Sequence, residues 1–95
     1  MMEIDDKGYR TSSLDEAAAI MAAGGGFTRL EKKSHRTYLF VFLPSAMAAA
    51  LADGYLRGTL VVNATALTKA QRDLKDVLFA TLRQGDRDGD SRSRN

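Results

Sequence analysis

Tyr38-Leu39-Phe40-Val41-Phe42-Leu43, preceded by Lys32-Lys33-Ser34-His35-Arg36 and followed by Pro44, decides the fold. The run is apolar at odd and even positions alike, the pattern of a strand covered on each side, so it belongs at the centre of the structure. The basic stretch before it reads as a turn lying in water. Upstream, Phe27-Thr28-Arg29-Leu30-Glu31-Lys32 alternates less cleanly but is long enough to pair back onto Thr37 to Leu43, which predicts a β-hairpin.

Working outward, Ser13 stands three residues before Glu16 in capping-box spacing and starts a predicted helix that runs to about Ala23. Asp15 and Glu16 suit the positive end of its dipole, and Gly24-Gly25-Gly26 supplies the stop. Tyr9-Arg10-Thr11 makes a short extended approach to it. Ala17, Ala18, Ala22 and Ala23 permit close approach to a sheet, with Leu14, Ile20 and Met21 providing the bulk. Pro44 opens a second helix from about Ser45 to Asp53; Gly54 is its expected exit, unless Tyr55-Leu56-Arg57 continue it with a bend. Leu60-Val61-Val62 reads as a short extended piece. Asn63 or Thr65 then caps a last helix ending near Leu82, with Leu67, Ala70, Leu74, Val77, Leu78 and Thr81 on its core stripe. From residue 84 the chain has no apolar side chain, so no burial offsets the entropy of ordering it. The expected organisation is one α/β (α+β) domain over 1–83, a small antiparallel sheet built on a central hairpin and packed by about three helices, with a disordered charged tail over 84–95.

Composition bounds the function. At 95 residues there is room for one core. With 44% hydrophobic and 27% charged residues the chain reads as globular, and its lack of cysteine excludes disulfides, thiol catalysis and thiolate metal sites. The start, Met1-Met2-Glu3-Ile4-Asp5-Asp6, is acidic where a secretory signal is basic and then apolar, and no apolar run approaches the ~20 residues of a bilayer span. A cytoplasmic setting with no membrane partner is the resulting expectation.

A formal net charge of +2 is too small to argue for nucleic acid, but its distribution concentrates Arg29, Lys32, Lys33 and Arg36 around one turn. With Tyr38, or Phe27, as a stacking surface, these cations form a possible nucleic-acid-binding patch; the plainer reading is that lysines keep a hairpin tip soluble. Other motifs reduce to structure. Asp86-Arg87-Asp88-Gly89-Asp90 resembles a calcium loop, but its glycine comes too early and the bidentate glutamate is missing. His35 is the single histidine and has no carboxylate partner in view. The glycine run follows a helix and precedes a strand, the reverse of a phosphate cradle. Asn63-Ala64-Thr65 matches a glycosylation sequon but serves as a helix start.

The Tyr9-x-Thr11-x-x-Leu14 approach, Ala17-Ala18, the glycine stop, Phe40-x-Phe42 behind a hairpin and Leu74-Lys75 together resemble an uncharacterised family of small phage and bacterial proteins, domain of unknown function 5659. The likeness covers about Gly8 to Leu82. It implies a phage-associated or bacterial setting and carries over no catalytic residue.

The absence of any nucleophile or paired-carboxylate motif sets the expectation of a non-enzymatic binding or assembly module without cofactor or metal, acting through protein–protein contact. Distant residues such as Asp53, Tyr55 and Lys75 can still converge in space. A domain this small cannot cover every face of its sheet, and Ala46, Met47, Ala48, Ala49 and Ala50 add apolar surface, so a homo-oligomer joined at a sheet face or edge is also expected.

Overall fold

The computed structural model describes residues 6–35 and 37–94, the last ten of them by their backbone alone. The order of elements is β1 (Tyr9–Thr11), α1 (Leu14–Ala22), β2 (Phe27–Ser34), β3 (Thr37–Phe42), α2 (Ser45–Arg57) and α3 (Ala64–Arg94). The three strands form an antiparallel sheet in the order β1-β3-β2, so the aromatic strand lies at its centre. The α+β architecture read from the hairpin and its flanking helices is the one observed.

Strand alternation sends Phe40 and Phe42 to one face, where they join Ala17, Ala18, Ile20, Ala48, Ala52, Ala70 and Leu74 in one buried cluster. Phe27 meets Phe42 edge-on at 5.6 Å and Phe40 at 6.3 Å between ring centres, a geometry aromatic quadrupoles favour. Alanines dominate the helix side of this core. With no more than a methyl group on each, α1 packs closely against α2 and α3, while Ile20 and Leu74 supply the large fully buried aliphatic side chains.

The other face of the sheet is also covered at its centre, as the apolar run predicts, but by different residues. Val41 is fully buried yet lies outside the helix-covered cluster, in register between Arg10 on β1 and Arg29 on β2. Arg10 reaches across β3 to Glu31 on β2, donating from Nε to Oε1 at 2.6 Å and from a terminal nitrogen to Oε2 at 3.0 Å. The cross-strand neighbours of Val41 on this face are thus two arginines, one of them in a bidentate ion pair that spans β3.

Helix ends follow local chemistry. Ser13 Oγ accepts the Glu16 N–H at 3.1 Å, as the capping spacing predicts. The reciprocal half of the box does not form: the Ser13 N–H goes to Thr11 Oγ1, and the Glu16 side chain turns inward. α2 begins after Pro44 with the carboxylate of Asp6, 39 residues away in sequence, accepting the Ser45 N–H at 2.9 Å. Two of its oxygen contacts, with the Ser45 and Gly8 N–H groups, hold the Asp6 carboxyl below its ordinary range, the one to Ser45 most strongly.

Four stretches differ from the sequence reading. Lys32, Lys33 and Ser34, expected in the turn, form the end of β2, with Lys32 and Ser34 paired to Tyr38 and Thr37. α2 passes through Gly54 to Arg57 and ends at Gly58, whose φ of 77° is the left-handed conformation that closes a helix and that glycine adopts without strain. Leu60-Val61-Val62 pairs with no strand; it is the connection into α3, whose start is capped by Asn63 Oδ1 accepting from the N–H groups of Thr65 and Ala66 at 2.8 and 3.1 Å. The end expected near Leu82 is absent. The α3 backbone continues to Arg94, since i→i−4 hydrogen bonds need no burial to propagate and no proline interrupts the segment. The side chains of the calcium-like stretch 86–90 lie outside the described residues.

Candidate functional site

The residues singled out around the hairpin separate into two groups. Lys32 and Tyr38 are directly opposed across β2 and β3, and Lys33 follows at a bulge before Ser34 pairs with Thr37. Lys32 and Lys33 are exposed, and neither takes part in an ion pair among the described residues. Arg29 lies on the opposite face of the sheet, opposed to Val41, and contacts Glu31 at 3.5 Å. Glu31 is held below the ordinary carboxylate range chiefly by its hydrogen bond from Arg10, with Arg29 adding to the effect. Arg36 lies outside the described residues. Phe27, offered by the sequence as a stacking surface, is packed against the two core phenylalanines, which leaves Tyr38 as the hairpin's half-exposed aromatic ring.

A second constellation is internal. Glu16, on the first turn of α1, is 9% exposed and accepts from the Tyr9 hydroxyl and from Thr11 Oγ1, the latter at 2.9 Å. Burial, reinforced by the neighbouring carboxylate, pushes the Tyr9 phenol up to about 12. This carboxylate pins β1 to α1. Its alternation with Arg10 explains the strand: Tyr9 and Thr11 face the helix while Arg10 crosses the outer face.

The most exposed large apolar side chains among the described residues lie at the elbow between α2 and α3. Leu56 is 71% exposed, Val61 90% and Tyr55 36%. Beside them is a depression of about 460 Å³ lined by Asp15, Ala19, Tyr55, Leu60, Val62, Leu67 and Gln71, with Gly58 at its margin. The elbow arises because α2 runs one turn past Gly54: Thr59 and Leu60 donate back to the Gly54 carbonyl at 2.9 and 3.1 Å, which fixes the reversal and turns Val61 outward. In sequence, Leu60-Val61-Val62 carries the β-branched pattern of a buried strand, so its exposure was not legible there. A mostly apolar concavity with a few polar groups in its lining is the usual composition of a recognition surface.

Among the described residues no three His, Cys, Asp or Glu side chains gather as a metal site. Asp53 is engaged by Arg57 at 3.0 Å, while Tyr55 and Lys75 border different depressions on the surface. No described helix is long and apolar enough to cross a membrane. No family model, curated protein or solved structure matches the chain.

Proposed function

We propose that the chain is a non-enzymatic binding module that docks another protein at the α2–α3 elbow, in a phage-associated or bacterial intracellular setting. The observation that carries this reading is the exposure of Val61 and Leu56 beside the 460 Å³ depression. Burying one such aliphatic side chain in a partner is worth about 1.5–3 kcal/mol, which makes these two residues the natural anchors of an interface. Asp15 and Gln71 supply polar groups in the lining of the depression that set orientation.

The test is affinity capture with and without nuclease, comparing the wild-type chain with Leu56→Glu and Val61→Glu. A protein retained in stoichiometric amount, resistant to nuclease and lost with either substitution, is the expected result. Capture unaffected by both substitutions overturns the reading. The second reading, nucleic-acid binding at the hairpin, draws on the two exposed lysines that carry no ion pair among the described residues. It predicts nuclease-sensitive recovery, a steep loss of affinity with salt, and weakening by Lys32→Ala, Lys33→Ala or Arg36→Ala.

A further inference from the structure

Among the described residues the sheet order leaves β2 with β3 as its single neighbour, and no helix makes an extended contact along it. Alternate N–H and C=O groups of an edge strand point away from the sheet and seek partners. Bulges between Phe27 and Arg29, and between Lys32 and Ser34, confine the regular part of this edge to Arg29, Leu30, Glu31 and Lys32.

We propose that a second copy of the chain occupies this edge, its β2 antiparallel to the first about a two-fold axis at Leu30, extending the sheet to six strands. The charges select both the occupant and the register. Antiparallel edge pairing about a two-fold axis places residues symmetric about the axis opposite each other on the same face. An axis at Arg29 sets Arg29 against itself; one at Glu31 opposes two carboxylates and also Arg29 to Lys33; one at Lys32 opposes two ammonium groups. The axis at Leu30 opposes Arg29 to Glu31 twice, Lys32 to Thr28, and leucine to leucine. It is the one centre within the regular stretch where no like charges meet, and like charges directly opposite each other destabilise a sheet.

The ion pairs already present are poised for this arrangement. Glu31 holds Arg10 tightly on one side, whereas Arg29 touches it through a single 3.5 Å contact with its side chain 49% exposed. Turned toward the second copy, Arg29 meets that copy's Glu31, and each carboxylate then lies between two guanidinium groups, one from each chain. The proposal is independent of the elbow, which lies on the α2–α3 connection.

Sedimentation of the wild-type chain between about 1 and about 100 μM is expected to show a concentration-dependent dimer. Arg29→Glu and Glu31→Lys should each weaken it at least about tenfold, since each opposes like charges twice. Mixed in equal amounts, the two variants should recover a dimer, because each substituted side chain then faces its complement. Outward-facing amides within Arg29–Lys32 of the wild type should exchange more slowly as concentration rises. A strict monomer at the upper concentration, variants that dimerise as well as the wild type, or a mixture of folded variants that stays monomeric would each overturn the proposal. Should either variant lose its circular dichroism, amide exchange decides alone: protection independent of concentration overturns it.

Discussion

Glu16→Ala tests whether the buried carboxylate holds β1 in the sheet. The substitution removes the acceptor of two hydroxyl donors, Tyr9 and Thr11, but keeps the Ser13 cap, which uses the backbone N–H of residue 16. A hydrogen bond to a charged group is worth about 1.5–3 kcal/mol, and a buried donor left without an acceptor costs about 1–3 kcal/mol. The two losses are not equal. Thr11 is 8% exposed, so its hydroxyl cannot turn to water, although it still accepts the Ser13 N–H at 3.1 Å; Tyr9 is half-buried and can rehydrate. Alanine's better helix propensity returns a few tenths of a kcal/mol. The net expectation is a loss of about 2–4 kcal/mol, a large part of the ~5–14 kcal/mol that a chain of this length holds in total. Urea denaturation followed by circular dichroism measures it as a fall in midpoint at unchanged slope. The complementary triple substitution Tyr9→Phe/Thr11→Val/Glu16→Leu removes donors and acceptor together and should recover most of the stability, since apolar replacement of both sides of a buried polar contact is nearly neutral. A Glu16→Ala change within about 0.5 kcal/mol of wild type, or a triple variant worse than the single one, would refute the reasoning.

The same cluster predicts alkaline behaviour. An unfolded chain releases the Tyr9 proton near 10 and the folded chain not until about 12, so this contribution is complete below pH 10 and is lost as pH rises from 10 to 12; a thermal-melt series should show the decline, and Tyr9→Phe should flatten it. Phe42→Ala, at a fully buried ring in edge contact with Phe27, should cost about 3–5 kcal/mol by denaturant titration, whereas Lys33→Ala should stay within about 0.5 kcal/mol. Ending the chain at Gln84 should move the melting temperature by no more than about 2 °C, because no apolar side chain follows; a loss of several degrees would mean that the last residues pack on the body.

Sequence alone determined those parts of the protein governed by near neighbours. Ser13, Pro44 and Asn63 mark helix starts because a cap or a fixed φ acts within a turn. The hairpin follows from the aromatic run and the loosely alternating stretch Phe27 to Lys32 on either side of a polar turn, and the burial of Phe40 and Phe42 from their spacing of two. Tertiary structure decided what depends on residues distant in the chain. Nothing local announces that Asp6 caps α2, that Glu16 leaves its capping box for Tyr9 and Thr11, or that Arg10 spans β3 to Glu31. The hairpin cations likewise look like one patch in sequence, yet strand alternation sends Arg29 to one face and Lys32 with Tyr38 to the other. Leu60-Val61-Val62 has the composition of a strand but joins no sheet, and Val61 stands in solvent. Local rules set which conformation a segment prefers, because caps and turns act over a few bonds. Which side chains meet depends on how strands and helices are brought together, and charge pairing across 21 residues of chain, as between Arg10 and Glu31, is fixed only when that assembly is complete.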